Sequence, residues 1–301
     1  CEADKVIYYE SARGCPFSCN YCMSSIDRSL RELPVERVKE ELSFFLKQEV
    51  KQVKFLDRTF NWQPDRSREL FAYLMKHDNG ITNFHFEISS DLLGEEELEL
   101  FAKMRPGLIQ LEIGVQSTNG ETVDAIHRHM DLDKLFHYVD RVHKLGNIHQ
   151  HLDLIAGLPY EDYESFGKSF NDLYAHEPDQ LQLGFLKVLK GTVMEEEVKK
   201  YDIIYRNQSP YEVLGTKWLS YDEIILGFPI WWYVAPTIVN TFLEKYDLSG
   251  KKIVLFATSG GSGFGNTVSE LQPSAPNAQI VEGKLLNRMS KQEISEWVKS
   301  L

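Results

Sequence analysis

Through the first two-thirds of the chain, short apolar runs alternate with longer stretches in which apolar residues recur at helical spacing. Val6–Glu10, Val53–Leu56, Asn83–Ser89, Leu108–Val115, Ile148–Ile155 and Gln180–Val188 are predicted strands. Pro34–Gln48, Asp65–His77, Glu95–Met104, Thr122–Ile126, Leu132–Leu145 and Tyr163–His176 are predicted helices. Pro34 suits a first helical turn, Asp65 is placed to cap the helix after Pro64, and Gly94 precedes the acidic first turn Glu95, Glu96 and Glu97. Six alternating strand–helix units imply a parallel sheet covered by helices, because parallel neighbours need crossover connections. Ligands of such sheets gather at the carboxyl ends of the strands. After Tyr221 the pattern restarts with three more strongly apolar strands, Glu223–Ile230, Lys252–Thr258 and Gln279–Leu285, and helices over Pro236–Tyr246 and Lys291–Leu301. Two α/β domains are therefore expected, residues 1–221 and 222–301, with no Pro/Gly/Ser-rich linker between them.

Composition narrows the class. Of 301 residues, 43% are hydrophobic and 26% charged, which excludes a disordered chain, and no apolar run approaches the ~18 residues that span a bilayer. A net charge of −12 makes nucleic acid and anionic membranes poor partners; the substrate expected is a small molecule or one the sequence does not specify. The chain begins at Cys1 with neither an initiator Met nor a signal-peptide pattern, so a cytoplasmic protein and a piece of a longer chain are both expected. Four cysteines are too few for a disulfide scaffold, yet three of them fall within eight positions.

Those three stand in Gly14-Cys15-Pro16-Phe17-Ser18-Cys19-Asn20-Tyr21-Cys22, directly after the first strand. Three thiolates on a tight loop, with no fourth Cys or His at short spacing, suit a metal centre with one open position better than a closed structural zinc site. An iron–sulfur cube held through three irons leaves its fourth iron free for a small molecule. Unrelated buried thiols, or one disulfide among the three, are the plain alternatives.

The C-x3-C-x2-C spacing with Tyr21 before the last cysteine resembles the signature of the radical S-adenosylmethionine (SAM) superfamily. The resemblance implies a partial (β/α)6 TIM-like barrel over residues 5 to about 221, with a [4Fe-4S] cluster on Cys15, Cys19 and Cys22. It also implies bound SAM, cleaved by one electron from an external flavodoxin or ferredoxin to a 5′-deoxyadenosyl radical that abstracts hydrogen from substrate. Glu87, Gln116 and the stretch Asp153-Leu154-Ile155-Ala156-Gly157 are similar to the family's third, fourth and fifth strand motifs. By the same resemblance Tyr21, Thr59, Glu87, Gln116, Asp153 and Gly157 are SAM contacts, and the backbone of Leu186, Lys187 and Val188 reads the adenine edge. Glu87 accepts from ribose or the methionine ammonium, and Gly157 allows close backbone approach. At the second strand end Asp57-Arg58-Thr59-Phe60-Asn61 replaces the family's glycine-rich glutamate motif. The phrases FHFEISSDLL, LEIGVQS and DLIAGLP are most similar to cobalamin-associated members, in which a cobalamin domain precedes the barrel. Upstream truncation would thus open methyl transfer or cyclisation. His127, His129, His149 and His151 are assigned surface or packing roles, and Glu195, Glu196 and Glu197 a solvated helix face.

Residues 222–301 resemble the C-terminal half of flavodoxin-like proteins, a truncated three-strand parallel α/β layer. Pro229, Trp231 and Trp232 after one strand, and Ser259, Gly260 and Gly261 after the next, match FMN-contacting positions. An indole there can stack on the flavin ring and the glycine loop can present backbone donors; alternatively the tryptophans anchor the core. That family's Ser/Thr-rich phosphate loop has no counterpart before Tyr221, and its strand order 2-1-3-4-5 leaves Ile224–Ile230 as an uncovered edge. The join at Ser220–Ile224 reads as a natural fusion, an engineered chimera or a joining error. The tail then serves as an in-cis electron donor, makes the chain an FMN-binding electron-transfer module, or belongs to an inactive fusion of two truncated domains.

Overall fold

The computed structural model describes residues 5–27, 29–219, 223–245 and 248–300. They divide into two compact units, 1–219 and 220–301. In the first unit, six strands form one sheet: β1 (Val6–Tyr9), β2 (Gln52–Phe55), β3 (Asn83–Ile88), β4 (Ile109–Gln116), β5 (His149–Ala156) and β6 (Gln180–Phe185). Each pairs in parallel with the strand before it, and β1 and β6 are the two edges, so the barrel is a partial one.

Helices α1 (Val35–Lys47), α2 (Pro64–Lys76), α3 (Glu95–Phe101), α4 (Gly120–Ala125), α5 (Leu132–His143) and α6 (Tyr163–Tyr174) supply the crossovers. Side-chain caps fix several starts: Asn119 accepts from the Glu121 amide, Asp131 from Lys134 and Asp162 from Ser165. Asp65 is not a cap. Pro64 is already the first residue of α2, and Asp65 lies in its first turn, paired with Arg68.

Strand alternation sets the two faces of the sheet. On β4, Ile109, Leu111, Ile113 and Val115 are fully buried, whereas Gln110, Glu112, Gly114 and Gln116 are half-buried on the other face. The first set packs with Phe84 and Phe86 of β3 and Leu152 and Leu154 of β5 into the main core. The second set lines the lumen, and in register Glu87 stands opposite Glu112, and Glu112 opposite His151. Buried parallel strands ordinarily read apolar on both faces, so this polar lumen marks where function overrides packing.

The sixth strand stops at Phe185, short of the expected Val188. Leu186–Val188 instead turn to meet Tyr211–Val213: Val188 donates to the Tyr211 carbonyl at 3.0 Å, and Lys187 bridges Glu212. Three features had no periodic signal. Ala12–Arg13 pairs with Arg31–Glu32, Ile204–Tyr205 pairs with Val213–Gly215, and the short helix α7 covers Val193–Glu197.

Glu161, just after β5, is 1% exposed and accepts from Ser117 Oγ (2.6 Å) and Ser169 Oγ (3.2 Å), while its other oxygen has no partner. Burial pushes its carboxyl up to about 7. The folded chain therefore holds a proton here that the unfolded chain releases above its ordinary carboxyl range, so this contribution is intact at low pH and lost as pH rises towards 7. The loss is at most about 3 kcal/mol. Urea titrations from pH 5 to 7.5 should show a fall in stability that flattens in Glu161→Gln.

The second unit is a three-stranded parallel sheet, β7 (Glu223–Pro229), β8 (Lys252–Thr258) and β9 (Gln279–Leu285), with β8 in the middle. Helices α8 (Thr237–Lys245) and α10 (Lys291–Val298) stand near their expected places, and a five-residue helix α9 (Thr267–Leu271) is additional. Phe228, Val239, Leu243, Ile253, Leu255 and Leu271 share its core. Ser220, Tyr221 and Asp222 at the expected join, and the expected helix ends Tyr246 and Leu301, lie outside the described residues.

Candidate active site

The cysteine loop leaves β1 through the short Ala12–Arg13 pairing and is held at both ends. Asp57, just past β2, is 3% exposed; its Oδ1 accepts from the Ser11 amide at 2.8 Å and its Oδ2 from Ser11 Oγ at 2.6 Å. Gly14 turns the chain at φ +95°, where a Cβ would stand 2.6 Å from the Ser29 carbonyl oxygen, so only glycine fits. Asn20, fully buried between Cys19 and Tyr21, is the main anchor. Its amide donates to Ala125 O at the end of α4 and to Glu197 Oε2 on α7, both at 2.9 Å. Its backbone bonds Ile126 O and the Met194 N–H. Glu197 is thus a clamp on the loop rather than part of a solvated face. Asn20→Ala leaves a carboxylate and a carbonyl without their donor and is expected to cost about 2–3 kcal/mol, measurable by denaturant unfolding.

Cys15, Cys19 and Cys22 are free thiols lining one cavity of about 180 Å³. They share its wall with Tyr21, Thr59, Glu87, Gln116 and Asp153, so eight of the expected contacts come together from the loop and from the ends of β2, β3, β4 and β5. Gly157, Leu186, Lys187 and Val188 do not line it. Gly157 takes the left-handed φ of +85° beside Leu186, and the Leu186 and Val188 amides already donate to Ala156 O and Tyr211 O.

Arg58, Glu112 and Arg128 also line the cavity and had no motif to announce them. Arg128 follows α4, with Nη1 3.8 Å from Cys19 Sγ and Nη2 donating to the Gly114 carbonyl. Burial pushes the Cys19 thiol up, and Arg128 opposes this by favouring the thiolate. The register of β4 against β5 shifts between Gly114 and Gln116, and Gln116 adopts φ +74°, so its side chain is re-aimed at the cavity by a bulge. Its Oε1 is buried with no partner.

Carboxylates dominate the deeper wall. Burial, reinforced by the nearby Glu112 charge, pushes Glu87 up to about 7. Glu112 itself is held down to about 2, first by the His85 ring and then by the Lys54 ammonium at 2.7 Å. His85 Nε2 lies 2.9 Å from Glu112 Oε2, close enough to favour the carboxylate but outside well-aligned hydrogen-bond geometry. His151 Nε2 stands likewise 3.0 Å from Asp153 Oδ1. His151 is thus buried in the lumen and His129, though exposed, lines the thiol cavity, whereas His127 is exposed and does not line it.

The three sulfurs can be tested against the two metal readings. A tetrahedral zinc with Zn–S of about 2.3 Å sets its sulfurs about 3.8 Å apart. Among the described residues the one group of three or more ligand atoms lying within 4.8 Å of one another is His85, Glu112 and His151, not the cysteines. The thiols are therefore spread wider than one ion allows, which fits a multi-iron cube.

In the second unit, the loops after β7 and β8 meet: the Asn266 amide donates to the Tyr233 carbonyl at 2.9 Å. Trp231 and Trp232 are 60% and 92% exposed, so neither anchors the core. Pro229 ends β7, and Ser259 Oγ accepts from the Gly261 and Ser262 amides, shaping a turn that runs through Gly260.

An open six-strand barrel with three convergent thiols on the first loop defines a class, and comparison with known proteins agrees with it. The radical SAM superfamily model matches residues 9–173 and a flavodoxin model matches residues 206–301. The chain belongs to the radical SAM superfamily of enzymes and carries a C-terminal flavodoxin-like domain. Membership implies a [4Fe-4S] cluster and SAM as cofactors. The chain is 25% identical over 206 residues to the cobalamin-dependent radical SAM methyltransferase TokK of Streptomyces tokunonensis, covering 65% of this chain and 30% of that protein. It is 26% identical over 187 residues to a tRNA-2-methylthio-N(6)-dimethylallyladenosine synthase of Clostridium botulinum, covering 60% and 42%. The radical SAM methyltransferase TsrM from Kitasatospora setae shares the fold, with a TM-score of 0.58 and 15% identity over 66% of this chain and 39% of that one. This chain spans less than half the length of each. No helix among the described residues is long and apolar enough to cross a membrane.

Proposed function

We propose that the 180 Å³ cavity seats SAM against a [4Fe-4S] cluster on Cys15, Cys19 and Cys22, and that the enzyme acts on a small organic substrate. The observation that carries this reading is the convergence of three free thiols and four strand ends on one cavity. When bound, the cluster and SAM supply one-electron cleavage of a sulfonium and thereby hydrogen abstraction. The chain supplies the rest. Arg128 favours the thiolate of Cys19, Asn20 and Asp57 hold the loop in place, and Gln116 Oε1 waits with no partner for a ligand donor. Glu87, with no hydrogen bond among the described residues, accepts from ribose or the methionine ammonium.

Anaerobic incubation of the reconstituted chain with SAM and dithionite should yield 5′-deoxyadenosine, and a fully loaded cluster that yields none would falsify the reading. Added cobalamin tests the methyl-transfer reading suggested by TokK, whose printed name specifies cobalamin dependence. S-adenosylhomocysteine would then accumulate with a methylated product.

A second reading concerns the tail. The exposed indoles of Trp231 and Trp232, next to the Ser259–Ser262 turn, support FMN binding as an in-cis electron donor. Flavin that washes away on desalting would remove this idea.

A further inference from the structure

Deeper in the lumen lies a second set of ligand atoms that the proposed function does not use. His85 on β3, Glu112 on β4 and His151 on β5 each bring one ligand atom within 4.8 Å of the others. The sheet builds this trio. Glu112 is in register with His151 on one side and with Glu87 on the other, and His85 lies one lumen position before Glu87. The two histidines are 7% and 5% exposed. Both Nε2 atoms are buried without a directed hydrogen bond. Each faces a carboxylate oxygen, Glu112 Oε2 at 2.9 Å and Asp153 Oδ1 at 3.0 Å, and an imidazole nitrogen beside a carboxylate is a donor pair suited to a metal bond. Asp153 Oδ1, also buried and without a hydrogen bond, lies 3.0 Å from His151 Nε2 and offers a fourth donor.

We infer that His85, Glu112 and His151, with Asp153 beside them, form a binding site for one divalent first-row transition-metal ion, separate from the cysteine loop. Imidazole and carboxylate donors suit Zn²⁺, Fe²⁺ or Mn²⁺, whereas the thiols suit the iron–sulfur cluster. Bonds of about 2.0–2.2 Å to a tetrahedral ion space its ligand atoms about 3.4 Å apart, so the His85–Glu112 and His151–Asp153 pairs, now at 2.9 and 3.0 Å, open slightly while the widest separation in the group, at most 4.8 Å, closes. The opposing feature is Lys54, whose ammonium sits 2.7 Å from Glu112 Oε2. It competes with a cation for that oxygen, and His151, whose charged form Asp153 favours, must give up its proton when the imidazole takes a metal. Glu112 and Asp153 also line the cavity, so the ion would lie at the boundary between lumen and substrate space.

The test uses the full chain with its cluster reconstituted, dialysed anaerobically against Zn²⁺, desalted and analysed for zinc, a readout that requires no radical chemistry. About one zinc per chain is expected, with affinity at least about tenfold weaker in His151→Ala and in His85→Gln. Retention of zinc in a chain lacking all three loop cysteines excludes the thiols as the holder. Lys54→Met is expected to tighten binding, a gain that a misfolded variant does not mimic. No zinc above background, zinc indifferent to both histidine changes, or zinc lost with the cysteines would overturn the inference.

Discussion

A Cys19→Ala chain is expected to emerge from anaerobic reconstitution colourless and to cleave SAM at least about a thousandfold more slowly than the parent, a barrier difference of roughly 4 kcal/mol. Each of the three thiols holds one iron of the proposed cube, so losing one leaves two anchors and a second open edge. Cys19 is the informative choice because it is the buried one and faces Arg128 at 3.8 Å. Its replacement should cost only about 1 kcal/mol in folding, since the loop is anchored by Asn20 and Asp57 rather than by sulfur. A variant that is folded by circular dichroism, without blue-region absorbance and without 5′-deoxyadenosine is the expected set. Retention of colour and activity would move the cluster elsewhere.

The largest stability effect is expected from Phe86→Ala, about 3–5 kcal/mol in urea unfolding. Phe86 is fully buried, with ring centroids 4.4 Å from Phe60, 4.5 Å from Phe55 and 5.3 Å from Phe71. It thus joins β3, β2, the turn after β2, and α2. Its neighbours along the strand, His85 and Glu87, face the lumen, so the aromatic cluster also fixes the height of both polar groups. Phe86→Leu refills much of the volume and should recover most of the loss. If alanine cost less than about 1 kcal/mol, the site would be collapsing rather than rigid.

The first five barrel strands and the three strands of the second unit were legible to within a residue because alternation and β-branched runs are local properties; β3, for instance, differs from expectation only at Ser89. The sixth strand was overextended because Leu186-Lys187-Val188 keeps a strand's alternation; Leu186 still donates to Ala156 O of β5, and pairing with Tyr211–Val213 takes over from Lys187. The cysteine loop was legible for a different reason: its ligands are close in sequence. Arg128, Glu112 and His85 were not, since a single polar residue on a strand or after a helix carries no spacing. The histidines show the limit most clearly. His151 was paired with its sequence neighbour His149, whereas the sheet brings it near His85. Glu197 stands in a run of three acids that reads as a solvated face, and only the distant Asn20, which donates to it, gives it a different role.

The Asn20 clamp also bears on the order in which the molecule can be made. Because each barrel strand pairs with its predecessor, the sheet can grow from the N-terminus as the chain leaves the ribosome. The cysteine loop is synthesised before the rest of the barrel, but Asn20 finds its partners only when Ala125 and then Glu197 have emerged, the latter 177 residues later. Until then the three thiols sit on a loop fastened at its start, through Ser11 and Asp57, but not at Asn20. The last fastening of the loop is therefore a late event of folding, made after the strands that carry the rest of the cavity wall are in place.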